Sequence, residues 1–276
     1  MKFRITILCD NCVGSISGTL GEHGFAALIE HDGGALLFDT GQGATLLHNA
    51  QRMNRDLRRM SQVALSHGHY DHTGGLLALL RECGPKEVYA HPDVFLPRYR
   101  VKDTGESISI GIPFTEDLLR EEGAVFNTSS DFREIAPGIF LTGEVPRVNC
   151  FEQGDSGLYG EAAGVTADPI KDDQSLVIRT EKGLLLLLGC CHAGIVNTVE
   201  FAVARMGVQD IAAIIGGTHL GFCSPSQLEE TLKALRSYPI RKFSASHCTG
   251  FTASARLLRE FPGRFHPAHV GYCMDA

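Results

Sequence analysis

Apolar and polar residues alternate at the start of the chain. Phe3, Ile5 and Ile7 are separated by polar neighbours, which predicts a strand with one buried face. FAALIEH and ALLFDTG then flank Asp32-Gly33-Gly34 and predict a hairpin. A helix is expected over 44–53. VALSHGH predicts a strand running into a loop, GLLALLREC a short helix stopped by Gly84-Pro85, and EVYAH another strand. The second half restarts in the same way. SLVIRT and LLLLLG flank Glu181-Lys182-Gly183 as a second hairpin, and Ile195, Val199, Ala202 and Met206 follow at helical spacing. IAAIIGG predicts a buried strand. Ser224-Pro225-Ser226-Gln227 is a capping box with proline in the first helical position, and Leu228, Leu232 and Leu235 form the stripe of that helix. KFSASHC, TASARLLREF and RFHPAHV predict a strand, a helix and a last strand. Hairpins followed by strand–helix alternation, twice over, predict an α/β fold: two facing mixed sheets with helices outside, spanning 1–276 as one domain. Two stretches, 92–122 and 146–173, are rich in turn residues and irregular. Loops of that length in a compact domain are commonly lids or binding segments.

The composition narrows the function classes. The 276 residues are 43% hydrophobic and 21% charged, enough for a large core. A formal charge of −7 argues against a broad basic face for nucleic acid or an anionic membrane. The longest apolar run, Gly183 to Gly189, is far short of the roughly 20 residues that span a bilayer. The opening MKFRITILCDN is not a signal peptide, so a cytoplasmic protein acting on a small molecule is expected. Nine scattered cysteines, an odd number, are expected to be free thiols. Cys9 and Cys12 form a lone CxxC with no second pair.

The chemistry concentrates in Ser66-His67-Gly68-His69-Tyr70-Asp71-His72-Thr73-Gly74-Gly75, at the end of an expected strand. Three imidazoles and a carboxylate within six positions suit zinc, iron or manganese. His67 and His69 are two apart, so extended backbone points both the same way. Asp71 and His72 fall where the chain turns into the next helix and can reach a second position.

HGHYDHTGG, with the upstream Leu37-Phe38-Asp39-Thr40-Gly41, resembles the metallo-β-lactamase superfamily. LLFDTG, SHGHYDHTGG, GCCHAGIVN, GGTHL and HCTG together resemble its branch of metal-dependent hydrolases related to a dihydropterin–aminobenzene-phosphate synthase. The resemblance implies an αββα sandwich with a metal site at one edge between the sheets. It implies His67, His69, Asp71 and His72 as ligands of one or two ions, zinc foremost, with iron or manganese as alternatives. Asp39 resembles the carboxylate that orients a ligating imidazole. The superfamily usually supplies a further His, a bridging Asp after a Gly, and a final His. Here Gly189 is followed by Cys190, Cys191 and His192, and Thr142-Gly143-Glu144 stands where a Gly-His would precede. His192 and His247 are the candidate remaining ligands. His219 in GGTHL competes with His247 or contacts substrate. Cys190 is expected to be a buried inert thiol. His23, His31, His48, His91, His266 and His269 have no spacing partner and are taken as structural or exposed, with His91 lining the pocket as an option. Arg147, on a loop at the site edge, is the candidate anion binder; Arg98 and Arg100 are taken as solvated.

The chemistry so implied is hydrolysis of a small anionic ester, lactone or phosphodiester by a metal-bound hydroxide. Asp71 would hold and relay the proton, and His219 or an arginine would face the oxyanion. Two other readings compete: pterin-type carbon–nitrogen bond formation on the same fold, and a non-catalytic metal-dependent sensor. The sequence leaves the oligomeric state open.

Overall fold

The computed structural model describes residues 2–16, 18–152 and 154–276. Two mixed sheets face each other. The first has seven strands in the order Cys273–Asp275, Phe3–Cys9, Ala26–His31, Gly34–Phe38, Gln62–Ala64, Lys86–Ala90, Ala124–Thr128. The second has six, Phe243–Ser246, Ile211–Gly217, Gly183–Leu188, Leu176–Thr180, Ile139–Leu141, Arg133–Ala136. Each sheet is antiparallel where the hairpins lie and parallel where helices intervene.

The run of five leucines shows how the layers form. Period-two geometry sends Leu185 and Leu187 to the interior between the sheets, where they join Ile5, Ile29, Phe38, Leu176 and Ile215. Leu184, Leu186 and Leu188 face the other way, onto Ile195, Val199, Leu232 and Leu257 of the outer helices. Helices Leu46–Arg52 and Leu76–Cys83 cover the outer face of the first sheet through Leu46, Leu76, Leu79 and Leu80. Each such buried leucine contributes about 1.5–3 kcal/mol relative to an exposed one. The layer order is therefore helix, sheet, sheet, helix, as the hydrophobic pattern predicts.

Three departures from the sequence reading affect the site. The two irregular stretches are not formless: Tyr99–Val101 and Ser107–Ser109 from the first pair with Leu158–Tyr159 from the second in a small third sheet. The first stretch also holds helix Glu116–Glu121, started by Thr115, whose hydroxyl accepts from the Leu118 amide at 3.3 Å. RFHPAHV is not a strand. It runs beside Phe243–Ser246 with one bridge at Phe265 and a further bond from the Ala268 amide to the Ala245 carbonyl at 3.0 Å, without forming a regular strand; the closing strand is Cys273–Asp275, antiparallel to Phe3–Cys9. The capping box is present, with Ser224 Oγ accepting from the Gln227 amide at 3.1 Å. No helix among the described residues is long and apolar enough to cross a membrane.

Candidate metal centre

Most candidate side chains leave the end of a strand, while Asp71 and His72 sit in the one-turn helix Tyr70–Thr73 that begins just after His69. Asp39 follows Gly34–Phe38, His67 follows Gln62–Ala64, Cys190 and His192 follow Gly183–Leu188, His219 follows Ile211–Gly217, and His247 follows Phe243–Ser246. Strand carboxyl ends in open α/β sheets converge on a crevice that no regular backbone fills. Among the described residues, four of the six non-glycine positions with positive φ lie in this crevice: Asp39 (62°), Cys191 (63°), His219 (56°) and His247 (51°). Strain of this kind persists only where surrounding contacts enforce it. Two glycines let the pieces close. A Cβ at Gly68 would run into the Val94 carbonyl, and one at Gly189 into the Ser66 hydroxyl.

The donors form two adjoining groups. In the first, His67, His69 and His192 bring ligand atoms within 4.8 Å of one another, all buried. His67 Nε2 lies 2.9 Å from His69 Nδ1. In the second, Asp71, His72, Cys190 and His247 meet the same criterion. His72 Nε2 is 3.2 Å from Cys190 Sγ, 3.2 Å from His247 Nε2 and 3.7 Å from Asp71 Oδ2. Zinc ligands at about 2.0–2.3 Å from an ion subtend separations of about 3–4 Å, so both groups have the dimensions of a divalent-cation site.

Hydrogen bonds outside the groups aim the donors. Asp39 Oδ2 accepts from His72 Nδ1 at 2.7 Å, leaving Nε2 for the second group. The same carboxylate accepts from Ser66 Oγ at 2.7 Å, and Ser66 Oγ lies 2.9 Å from His67 Nδ1, so Nε2 of His67 is directed into the first group. Asp155 Oδ2 is 2.6 Å from His192 Nδ1. His69 Nε2 and His192 Nε2 are buried with no hydrogen-bond partner. Buried polar nitrogens without partners are costly, and a cation in the first group would satisfy His192 Nε2; His69 faces that group through Nδ1.

The electrostatics differ between the groups. Burial, reinforced by neighbouring imidazoles, pushes His67 and His69 well below the ordinary histidine value, so they stay neutral with lone pairs available. Burial acts in the same direction on His72, but the Asp39 and Asp71 carboxylates outweigh it and push His72 up to about 9. Asp71 is raised by burial and lowered more strongly by His72, His23 and His247, which leaves it well below the usual carboxylate range. The second group is thus a negative well.

The structure separates the competing candidates. His247 stands with Asp71 and His72. His219 stands apart on Asp155, with its Nε2 at 2.8 Å from Asp155 Oδ1 and its Nδ1 buried without a partner; it also neighbours Cys190 and His192 in a third donor combination. Cys190 is not a remote packing thiol, because its sulfur sits among the second group's donors. Arg147 is not placed in the cavity: it is exposed, and its guanidinium donates to the His192 carbonyl at 3.1 Å. Arg98 is not solvated but 2% exposed, clamped by Asp168 and Asp172. Asp172 in turn accepts from the Gly68 amide at 2.7 Å, fixing the backbone between His67 and His69. His91 caps the short turn Pro92–Phe95 and does not line the cavity. Cys9 and Cys12 form no donor group: Cys9 is buried against Glu22, and Cys12 is exposed.

Two residues escaped the sequence reading. Asp155 lies in the irregular second stretch with no motif around it. His23 precedes the first hairpin, yet its Nε2 reaches Asp71 Oδ2 at 3.2 Å. Only chain folding brings either to the site. Above the donors lies a cavity of about 710 Å³, lined among others by His23, Tyr70, Arg100, Asp155, His219 and Phe222.

A sandwich with two donor groups at its strand ends defines a class, and the comparison with protein families agrees: residues 20–159 match the family described as the metallo-beta-lactamase superfamily, to which this chain belongs. Among its relatives is the 7,8-dihydropterin-6-methyl-4-(beta-D-ribofuranosyl)-aminobenzene-5'-phosphate synthase of Methanocaldococcus jannaschii, 31% identical over 280 residues, covering 98% of this chain and 95% of the relative. An uncharacterized protein of the same organism is also 31% identical, over 97% of this chain and 98% of its own. The solved structure of Tm1679, described as a metal-dependent hydrolase of the beta-lactamase superfamily, superposes with a TM-score of 0.84 at 29% identity, covering 99% of this chain and 98% of that one. Zn(2+)-bound PqqB from Methylobacterium extorquens shares the fold, with a TM-score of 0.57 at 16% identity over 99% and 100% of the chains. Members of this superfamily bind divalent metals, and the residues gathered here are able to hold one.

Proposed function

We propose that the protein is a metal-dependent enzyme acting on a small anionic molecule, with hydrolysis of an ester, lactone or phosphodiester as the leading reading. The observation that carries it is the pair of adjoining donor groups at the floor of one cavity. His67, His69 and His192 would hold one cation, and Asp71, His72, Cys190 and His247 a second, with zinc the best match to mixed imidazole, thiolate and carboxylate donors. A Lewis-acidic ion bound there lowers the pKa of adjacent water towards about 7 and polarises a carbonyl or phosphoryl oxygen.

The remaining work belongs to the chain. Asp39, through His72 and through Ser66 to His67, keeps both imidazoles in one tautomer and orientation. Asp155 does the same for His192 and holds His219 beside it. Asp71 takes the proton of the attacking water and returns it to the leaving group, with His23 and His247 on the same oxygen to steady it. His219, with Nδ1 free, faces the oxygen on which negative charge develops. No Gly-x-Ser-x-Gly nucleophile is present to offer a competing route.

One observation favours a second reading. The synthase relative matches over nearly the whole chain, which supports carbon–nitrogen bond formation on a pterin-type substrate by the same centre. A screen of the zinc-loaded protein against ester, lactone and phosphodiester panels, run beside a condensation assay with a pterin donor and an arylamine acceptor, distinguishes the two. Chelator-sensitive hydrolysis supports the first reading, and chelator-sensitive condensation alone supports the second. Ligand binding without turnover in either assay would sink both and leave a sensor.

A further inference from the structure

Of the acidic and basic side chains that line the cavity, Asp71, Asp155 and Glu152 are occupied and Arg100 is not. Asp71 is taken by three imidazoles, Asp155 by two, and the Glu152 carboxylate accepts from the amides of Val196 and Asn197, each at 2.9 Å. Arg100 also lines the cavity, and among the described residues its guanidinium has neither an ion-pair nor a hydrogen-bond partner. It projects from Tyr99–Val101, the central strand of the small sheet, opposite Leu158 on one neighbour and Ile108 on the other. That sheet is not adrift. The Ile110 carbonyl accepts from the Tyr70 amide at 3.0 Å, and Gly111 bridges to His69, so the strand carrying Arg100 is docked on the metal-binding segment itself. An unpaired guanidinium carried on a docked strand and lining a cavity can serve as a fork for a carboxylate or phosphate.

The wall formed by the 218–227 turn has the complementary feature. Phe222 lines the same cavity and is 57% exposed, one of the two most exposed phenylalanines among the described residues. One face of its ring is supported by His219, with centroids 4.8 Å apart and planes 33° from parallel. His219 is itself held by Asp155, so the platform is braced from behind. An aromatic ring that lines a cavity, is more than half exposed and is held by a neighbouring imidazole can offer a stacking surface to a flat ring.

We infer that Arg100 and Phe222 form a two-point recognition site for a substrate that carries an anionic group on one part and a planar aromatic ring on another. This deepens the proposed function by naming the substrate class, and it rests on that reading only for the claim that the bound molecule reacts. Recognition itself depends on neither cation, so the two can fail separately. Arg100 reads the carboxylate or phosphate, Phe222 reads the ring, and the reacting bond lies between them over the donor groups.

Calorimetric titration of the zinc-loaded full-length protein tests this with phenylalkylphosphonates of increasing linker length, which cover the unknown spacing, and with their cyclohexyl counterparts, equal in apolar bulk but not flat. The expectation is that one linker length binds best and that its phenyl form exceeds the cyclohexyl form by roughly tenfold. Phe222→Leu removes the phenyl preference, and Phe222→Trp keeps it. Arg100→Gln weakens phenyl and cyclohexyl forms alike by about tenfold or more while leaving the preference intact. Zinc content, measured on each sample, should stay at the wild-type value in all three variants. The inference is overturned if the wild type does not distinguish the two ring types at any length. It is also overturned if Arg100→Gln binds as the wild type does, which would place the anion on the cations. A protein that holds no zinc but still shows both side-chain effects would remove the proposed catalysis and leave this site standing.

Discussion

The two donor groups sit against each other but are built on different principles. The first is three imidazoles, two from one strand end, which burial holds neutral, and the third, His192, from the opposite sheet. The second mixes two imidazoles with a carboxylate and a thiol, and the Asp39 and Asp71 carboxylates draw its His72 up to about 9 against the effect of burial. Their supports differ as well. Asp39, 0% exposed at the end of a core strand, serves both groups, whereas Asp155 serves only the first and comes from the 146–173 stretch. The first group therefore leans partly on the 146–173 stretch, whereas the second leans on a core strand end and on the 10–25 loop, through Asn11 at His247 and His23 at Asp71. Metal affinity in the first should respond to what happens to the 146–173 stretch, and in the second it should not.

The largest effect expected concerns the second group. Asp71→Ala should remove one equivalent of metal and lower turnover by about a thousandfold or more, since several kcal/mol of charge stabilisation depend on a bound cation. Elemental analysis and rate measurement on one sample check this, and full activity with one ion missing would show that the first group suffices. The supports come next. Asp39→Asn should weaken metal binding at both groups by about 10–100-fold, and Asp155→Asn at the first alone. Titration against a chromophoric chelator resolves the two affinities. If Asp155→Asn weakened both, the distinction between the supports of the two groups would collapse.

A smaller and more selective effect is expected at the thiol. Cys190→Asp should shift preference from zinc towards manganese, because a hard oxygen replaces a soft sulfur. The ratio of the two affinities is the readout, and an unchanged ratio would remove Cys190 from the ligands. The smallest concerns the loop's own anchor. Burial pushes Glu152 above the ordinary glutamate value against the pull of the Val196 and Asn197 amides and the Asn149 side chain. The folded state therefore holds this proton more tightly than the unfolded chain does. Its contribution to stability is complete below the unfolded value and declines as pH rises through the folded one. Glu152→Gln should flatten that decline in denaturant titrations across the acid range and cost about 1 kcal/mol from the weakened amide cap.

How much of this was legible depends on whether a signal is local. The HGHYDH cluster and the strand ends after LLFD and SAS are contiguous, and a period-two or period-3.6 pattern announces the elements around them. That is why His67, His69, Asp71 and His72 are legible from their own spacing, whereas Asp39, His192 and His247 become candidates through the resemblance of their surrounding motifs to the superfamily. Asp155, His23 and Arg100 carry no such signal. Arg100 and Asp155 reach the cavity with segments about 60 residues apart that pair, as Arg100 does with Leu158, and His23 through a loop before the first hairpin, none of which periodicity records. Arg98 misled for a related reason: its partners, Asp168 and Asp172, are 70 and 74 residues away, so in sequence it looks unpaired. Strands Ala124–Thr128, Arg133–Ala136 and Ile139–Leu141 are short and lie at or beside sheet edges, where exposed positions blur alternation.

The small third sheet has a consequence of its own. Its three strands contribute no residue to the interior between the two large sheets, and they meet the rest of the molecule near the cavity through Ile110, Gly111 and Arg98. Exchanging their outward side chains would redraw the cavity wall while leaving the leucine layers and the buried nitrogens beneath unchanged. Selection can therefore retune what this scaffold accepts without renegotiating how it folds.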